Sequence, residues 1–172
     1  MHVEVMSVDD AAKAVPRLAT ILVDAVASGA GVSFLHPLLQ TDAEQFWLNQ
    51  LPNVKTGKTF ILVCRDSLRQ IMGLVLLDRA WAPNQTHRAE VAKLLVHSDF
   101  RRQGVGSALM QHMEKLAQKI GLKMINFDAV AGSPSDQLYR MMGYHIVGTV
   151  PGYAYSGTGE KLDDVVFFYK TF

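Results

Sequence analysis

The sequence predicts an α/β domain of the α+β type, with a central mixed, mostly antiparallel β-sheet of about seven strands flanked by about four helices. Apolar residues recur at helical spacing in some segments and form short β-rich runs in others. A strand, helix and strand over residues 88–129 require a right-handed parallel crossover, whereas the hairpin before them requires antiparallel pairing. A mixed sheet covered by helices therefore follows.

The first third of the chain is predicted to be mostly helical. After a short strand at residues 3–7, Asp9 is the expected N-cap of a long helix, which ends at residues 28–31 because they are rich in glycine. Apolar residues at three- and four-residue spacing form the buried stripe of this helix: Val15, Leu18, Leu22 and Val26.

A second helix is predicted from a capping-box pattern. Thr41 and Glu44 have the required spacing, and the helix is expected to run to about Leu51, where Pro52 breaks it. The other predicted elements alternate along the chain. They are strands at 59–65, 70–79, 88–97, 124–129, 144–150 and 165–170, and helices at 105–120 and 135–142.

Composition and charge limit the classes of function. The 172 residues are 49% apolar and 19% charged, which excludes disorder and predicts one domain over residues 1–172. A net charge of +1 disfavours a nucleic-acid-coating protein. Cys64 lies in an apolar strand, so we expect a buried thiol in a reducing compartment. No apolar run reaches the ~18 residues of a membrane span, and the start does not resemble a signal peptide, so a soluble, cytoplasmic protein without a membrane partner is expected.

A glycine-containing segment between a strand and a helix carries the clearest chemical signal. Its residues are Arg101, Arg102, Gln103, Gly104, Val105, Gly106 and Ser107. The glycines allow close approach of a ligand, and the free N–H groups of a first helical turn favour an anion such as a pyrophosphate. An ordinary strand-to-helix turn with two solvated arginines fits the glycines equally well.

Residues 88–106 resemble motif A of the GNAT N-acetyltransferase superfamily, with a central strand followed by Arg101-x-x-Gly104-x-Gly106. Residues 136–144, which include Leu138-Tyr139 and Gly143-Tyr144, look like the second motif of that family. The resemblance implies the GNAT acyl-CoA N-acyltransferase fold, binding of acetyl-CoA and transfer of its acetyl group to an amine.

The resemblance is closest to the tabtoxin-resistance acetyltransferase branch. Four segments look like the corresponding segments of that branch: Gly29–Phe34, Arg88–Val91, Asp128–Ser133 and Pro151–Tyr153. In this branch, the carboxylates that match Glu90 and Asp128 are the proposed general bases. The resemblance does not decide which of the two residues is the base. Without the resemblance, Glu90 would be assigned to an ion pair with Arg88 or Lys93, and Asp128 to a loop cap.

Tyr139 falls at the family's general-acid position, where a phenol can protonate the departing coenzyme thiolate. The alternative is an aromatic side chain that packs against the strand near Tyr144. The resemblance also implies that the backbone of Leu94, Leu95 and Val96 holds the pantetheine arm and the oxyanion. One position departs from the family pattern: Gly132 stands where many members have a pantetheine-binding asparagine, which leaves Ser133 as the side-chain substitute.

The other candidates are weaker. The histidines lack metal-ligand spacing, so no metal site is predicted. Trp47 and Trp81 are assigned to core packing or a loop anchor rather than to an acceptor pocket. Residues 151–161 are predicted to form a loop over the acceptor, with a surface hairpin as the alternative.

The resulting hypothesis is an acetyl-CoA-dependent N-acetyltransferase that acts on a small, amino-acid-like or toxin-like amine, with a homodimer as the expected assembly. Two alternatives stay open at this point. The first is acetylation of a protein or peptide amine, and the second is an acyl-CoA sensor without turnover.

Overall fold

The computed structural model describes all 172 residues, and its elements follow the predicted order. The strands are β1 (His2–Val5), β2 (Thr59–Arg65), β3 (Ile71–Arg79), β4 (Arg88–Val96), β5 (Met124–Val130), β6 (His145–Tyr155) and β7 (Leu162–Thr171). The helices are α1 (Val8–Ala27), α2 (Gln40–Lys55), α3 (Val105–Lys119) and α4 (Pro134–Met141). Short 3₁₀ turns at Pro83–Gln85 and Ser98–Phe100 flank β4.

All strands form one sheet in the order β1-β2-β3-β4-β5-β7-β6. Only β4 and β5 run parallel, because α3 connects them as a crossover, and the other neighbours pair antiparallel. The predicted fold class, a mixed and mostly antiparallel sheet with four helices, is therefore confirmed.

Each face of the sheet carries its own hydrophobic core. On one face, α1 and α2 pack over the first strands through residues such as Leu18, Leu22 and Trp47. On the other face, α3 and α4 pack through residues such as Leu109 and Tyr139. Because side chains alternate along a strand, neighbouring residues of the central strands point to opposite helical layers.

The two parallel strands separate soon after they meet. Pairing between β4 and β5 covers only Arg88–Glu90 against Met124–Asn126. From Val91 onward, β4 has a strand neighbour only on its β3 side. This leaves a wedge between the carboxyl ends of β4 and β5, in the region where the resemblance implies a binding site.

A β-bulge shapes β4 along the wedge. Leu76 pairs with Ala92 and Leu74 pairs with Leu95, so two residues of β4 face one residue of β3. The bulged residues are Lys93 and Leu94, and Lys93 has a positive φ of 51°. The bulge turns this segment of β4 out of the regular ladder.

The ends of the first two helices differ from the prediction. The N-cap of α1 is Ser7 rather than Asp9, because the Ser7 hydroxyl oxygen accepts a bond of 3.1 Å from the Asp10 N–H. The expected capping box of α2 does not form: the helix begins at Gln40, whose amide donates to Glu44 at 2.9 Å. Nor does Pro52 break α2, since a proline in the last turn removes one N–H donor while its carbonyl still accepts from Thr56 at 3.2 Å.

The predicted loop over residues 151–161 was wrong for its first half, and the hairpin alternative is correct. Strand β6 continues through Pro151 to Tyr155, and only residues 156–161 form the turn into β7. Pro151 is tolerated because β6 is the edge strand and its pairing with β7 is irregular between Val150 and Ala154.

The single cysteine and the apolar character of the helices also bear on the predictions. The Cys64 side chain is fully buried, as predicted, and burial raises the pKa of its thiol. No helix combines the length and the apolar character that crossing a membrane requires.

We expect Gly73→Ala to lower the free energy of unfolding by about 1–3 kcal/mol, because overpacking at a close backbone contact costs this much. A Cβ at residue 73 would lie 2.6 Å from the Leu95 carbonyl oxygen, next to the bulge. Gly148→Ala is the matched control, since a Cβ there meets nothing within 4 Å and φ is not positive. Urea unfolding measures both variants, and equal stability losses would contradict the close approach of β3 to β4.

Candidate active site

A row of polar side chains crosses the central strands on the face that carries α1 and α2. Asp78 of β3 is in register with Glu90 of β4, and Glu90 is in register with Asn126 of β5. Asp128 lies two residues farther along β5. The alternate residues of these strands belong to the opposite core, which places the polar row on the α1–α2 face. The sheet register thus brings the predicted residues Glu90 and Asp128 onto one face.

The carboxyl groups of this row are electrostatically coupled. Partial burial, followed by the negative charges of Asp128 and Asp78, raises the pKa of Glu90, although the residue as a whole is exposed. Burial also raises the pKa of Asp128, against the opposing charge of Lys93. The pKa of Asp78 is raised by burial as well, while the Thr59 hydroxyl donates to its carboxylate at 2.5 Å. Carboxyls with raised pKa values are better proton acceptors than ordinary surface carboxylates.

Lys93 is the lysine that faces these carboxylates, and its sequence position predicted only a possible ion pair with Glu90. Its ammonium donates to the Val32 carbonyl at 2.8 Å. Burial lowers the pKa of Lys93, while the charges of Asp128, Asp78 and Glu90 act in the opposite direction. A lysine between apolar residues of a central strand is the sequence signal that points to it.

Tyr139 lies on α4, against the opposite face of the sheet. Its ring is 4.4 Å from Phe127 and 5.9 Å from Tyr144 between centroids, so the packing alternative also describes it correctly. The hydroxyl makes no hydrogen bond within the protein. The residue is buried, with 5% of its surface exposed, and its hydroxyl oxygen keeps a small accessible area. Burial and the charge of Asp128 raise the pKa of Tyr139, which keeps the phenol protonated at neutral pH.

The glycine-containing segment forms a turn that ends in the first turn of α3. Gly104 is the N-cap with φ 81°, and Arg102 also has a positive φ of 61°. The first helical bond runs from the Ala108 N–H to the Gly104 carbonyl, so the N–H groups of residues 105–107 have no helical acceptor. Arg102 is exposed and forms no ion pair. The turn therefore offers free N–H donors and one free cation to an anion.

Arg101, in contrast, is bound within the protein. Its Nε donates to the Val96 carbonyl at 3.1 Å, and its Nη2 lies 3.2 Å from both Asp24 Oδ2 and Ser28 Oγ. The N–H and hydroxyl of Ser98 also donate to Asp24, at 2.8 and 2.7 Å. Burial alone would raise the pKa of Asp24, but the Ser98 bonds and the charges of His97 and Arg101 lower it. Asp24 thus fastens the end of α1 to the segment that follows β4.

Two other predicted coenzyme contacts have structural roles. Ser133 is the N-cap of α4, where its hydroxyl oxygen accepts from the Asp136 N–H at 3.2 Å. Gln103 donates from its side-chain amide to the Asp99 carbonyl at 3.0 Å. Gly106 lies close to α4, because a Cβ there would be 3.4 Å from Leu138.

A depression of about 520 Å³ lies between the end of α1, the end of β5 and the β6–β7 turn, where it is lined by residues such as Gly29, Val130 and Ser156. Glu90, Asp128 and Tyr139 do not line it. The two tryptophans lie elsewhere: Trp47 is fully buried in the core, and Trp81 is 93% exposed in a loop. No group of three or more His, Cys, Asp or Glu residues is arranged to hold a metal ion.

Comparison with known families gives a match over residues 23–144 to the model described as the acetyltransferase (GNAT) family. The matched residues make up more than half of the chain and contain β4, the glycine turn and Tyr139.

Solved structures share the fold. A ribosomal-protein-alanine N-acetyltransferase from Brucella melitensis has a TM-score of 0.81 at 19% identity and covers 100% of both chains. An N-acetyltransferase from Staphylococcus aureus has a TM-score of 0.80 at 15% identity, with 99% of each chain covered. The yncA protein of Salmonella typhimurium, solved with its cofactor acetyl-CoA, has a TM-score of 0.79 at 14% identity and covers 99% of this chain and 93% of its own. At these identities the similarity establishes the fold.

We expect Asp24→Asn to lower the free energy of unfolding at pH 7 by about 1–3 kcal/mol, the usual size for hydrogen bonds to a charged group. Most of the loss is assigned to the Ser98 bonds, because the Arg101 side chain is 39% exposed and its ion pair is screened. The pKa of Asp24 is lower in the folded than in the unfolded chain. Its contribution is therefore complete above the unfolded value of about 4 and is lost as the pH falls through the folded value.

Urea unfolding of the wild type and Asp24→Asn between pH 3 and 7 measures this difference. Asp42→Asn is the control, because Asp42 is exposed and forms no ion pair or hydrogen bond. A stability difference that stays constant across this pH range would contradict the assignment to the Asp24 charge.

Proposed function

The chain belongs to the acetyltransferase (GNAT) family, and we propose that it transfers the acetyl group of acetyl-CoA to the primary amine of a small amino-acid-like, antibiotic-like or toxin-like molecule. The observation that carries this proposal is the position of Glu90 and Asp128 on β4 and β5 beside the wedge, with free N–H donors at the start of α3. The enzyme class is an acyltransferase that acts by direct attack in a ternary complex.

The acceptor amine requires a proton acceptor. An alkyl ammonium has a pKa of about 10, so about one molecule in a thousand is deprotonated at neutral pH. Glu90 and Asp128 are the proposed general bases, directly or through one water. Their raised pKa values bring both carboxyls closer to neutral pH, which improves their ability to take the proton.

The charge of the site also suits an amine. The three carboxyls of Asp78, Glu90 and Asp128 outnumber the two cations near them, Lys93 and Arg88. A cationic acceptor is therefore attracted to this face before it loses its proton.

Tyr139 is the proposed general acid. The phenol is protonated at neutral pH and its hydroxyl is free of internal hydrogen bonds, so it can donate a proton to a thiolate that leaves on the α4 side. The C–N bond forms as the C–S bond breaks. From ammonium to amide the nitrogen loses two protons: one passes through a carboxylate to solvent, and the other compensates for the proton that the phenol gives to the thiolate, which balances the transfer.

The proposed coenzyme contacts follow the wedge and the glycine turn. Residues Leu94, Leu95 and Val96 have no strand neighbour on the β5 side. Apart from the Val96 carbonyl, which accepts from Arg101, the backbone groups on that side are the ones proposed to bind pantetheine and the oxyanion. The N–H groups of Val105, Gly106 and Ser107 and the cation of Arg102 suit the pyrophosphate.

The remaining predicted contact residues, Arg101, Gln103 and Ser133, support the coenzyme site indirectly. Arg101 and Gln103 shape the turn through their bonds to Asp24 and Asp99. Ser133 holds the start of α4 through its cap and contributes to the coenzyme site by that placement.

The closer assignment to the tabtoxin-resistance branch supports a small, amino-acid-like acceptor, and we keep it as part of the proposal. A peptide or protein amine is the second candidate, because the carboxylate excess on the α1–α2 face also suits a peptide N-terminus. An acyl-CoA sensor is disfavoured, because a sensor has no use for both carboxylates and the free phenol.

A cytoplasmic homodimer completes the proposal. Strand β6 is the edge of the sheet and carries exposed apolar side chains, including Ile146, Val147 and Tyr155. An edge strand without charged residues between 146 and 155 is suited to pairing with a second copy.

The proposed function is tested by thiol release from acetyl-CoA, followed with Ellman's reagent, against amino acids, polyamines, aminoglycosides and peptides. A rate increase with a small amine supports the first candidate, and an increase with peptides alone supports the second. Binding of acetyl-CoA by calorimetry without release for any amine would favour the sensor.

We expect Glu90→Gln and Asp128→Asn each to lower kcat by about 100-fold, because loss of a general base typically costs 10²–10⁴-fold. The Kd for acetyl-CoA is expected to change by less than about twofold, since neither side chain belongs to the proposed coenzyme contacts. Asp42→Asn is the control for a charge change outside the site. Unchanged kcat in both site variants would exclude these carboxylates as bases.

We expect Gly104→Val to weaken acetyl-CoA binding by at least about tenfold, since a β-branched residue at positive φ distorts the N-cap that presents the N–H donors. Gly57→Val has a similar positive φ of 69°, outside the site, and controls for backbone strain alone. Calorimetry measures the Kd, and equal affinity in the two variants would contradict the role of the turn.

A further inference from the structure

Lys93 occupies an unusual position for a lysine. It lies on a central strand, at the bulge, and adopts a left-handed backbone conformation with φ 51°. This conformation is strained for a residue with a Cβ and persists only when the surrounding structure holds it there. The contacts of its side chain identify what holds it.

The ammonium is bound by the segment between α1 and α2. Nζ donates to the Val32 carbonyl at 2.8 Å and lies 5.5 Å from the Phe34 ring centroid and 5.7 Å from that of Phe46. The two rings also pack edge to face at 5.2 Å. The carbonyl and the two rings bind the ammonium, and these contacts join the segment between α1 and α2 to the bulge.

The same ammonium faces the carboxylates without pairing with any of them. The charged groups around it are Asp78 from β3, Glu90 from β4 and Asp128 from β5, whereas the α1–α2 segment and α2 contribute the carbonyl and the rings. None of the eight ion pairs within 4.0 Å includes Lys93. The positive charge therefore acts on the carboxylates from a distance and leaves their oxygens free to accept a proton.

We propose that Lys93 is a positioning residue: its ammonium, held back by Val32 and the two rings, keeps Glu90 and Asp128 ionised and fastens the segment before α2 over the site. The catalytic role of Lys93 rests on the proposed function. Its electrostatic role rests only on where Val32 and the two rings hold the ammonium. A direct ion pair would keep the carboxylates ionised as well, but it would occupy the oxygens that the amine needs.

The electrostatic part is tested without any assay of activity. Carbon-13 NMR follows the titration of the side-chain carboxyls in the wild type, in Lys93→Met and in the control Lys115→Met, with Glu90→Gln and Asp128→Asn used to assign the signals. Removing a nearby positive charge disfavours the ionised carboxylate, so both titrations are expected to move upward in Lys93→Met by roughly half a pH unit to one unit. Lys115 is exposed on α3, and its loss is expected to leave them unchanged.

The anchoring part is tested by hydrogen exchange. The amides of residues 29–36 are expected to exchange at least about tenfold faster in Lys93→Met than in the wild type, and Lys93→Arg is expected to restore part of the protection. If Lys93→Met does not fold, Lys93→Gln takes its place, because its amide can still donate toward the loop without carrying a charge.

The catalytic part uses the pH dependence of kcat/KM with the best amine of the panel. The acid limb is expected to move upward in Lys93→Met by the same amount as the carboxyl titrations, while the Kd for acetyl-CoA stays constant. Unchanged carboxyl titrations in the folded variant would overturn the proposal. So would complete loss of activity at every pH, which would make Lys93 itself the base. Shifted titrations in a protein that releases no thiol with any amine would contradict the proposed function and leave the electrostatic role of Lys93 supported.

Discussion

The separation of β4 from β5 after Glu90 is the constraint on which the rest of the site depends. Inside a sheet, a strand with a free edge leaves backbone N–H and C=O groups without partners, which is costly unless another group satisfies them. Here the residues of β4 from 91 to 96, which are buried or half-buried, face the wedge with no strand paired on the β5 side. The bulge at Lys93 and the close approach of Gly73 to Leu95 set how this stretch is presented.

Two polar fastenings hold the α1–α2 layer against that open strand. Asp24 joins the end of α1 to Ser98 and Arg101 after β4, and the Val32 carbonyl joins the following segment to Lys93 on the bulge. Both fastenings use buried or half-buried charged groups. Hydrogen bonds to such groups are strong, and the burial of a charged group is costly when its partner is lost. The α1–α2 layer is therefore bound to the glycine turn through Asp24, and to the strands that carry Asp78, Glu90 and Asp128 through Lys93.

The order of the elements and several of their bounds could be predicted from the sequence. Periodicity predicted the order of the strands and helices, and the bounds of β2 were predicted without error, because an apolar strand between turn residues is a local signal. The glycine turn and the candidate residues Glu90, Asp128 and Tyr139 were predicted through motifs that are contiguous in sequence. Element ends were less predictable: Ser7 and Asp9 are both good caps, and only the three-dimensional contact of Ser7 with Asp10 decides between them.

The sequence by itself therefore determined the fold class, the family and the glycine turn before α3, since all of these reside in short-range patterns. Tertiary structure alone decided that Asp78 lies beside Glu90, that Arg101 is bound to Asp24 rather than free, and that Lys93 is held by Val32 and two rings. These contacts join residues that lie far apart in the chain. Their existence depends on strand register and on the packing of helices over the sheet, which no local pattern encodes.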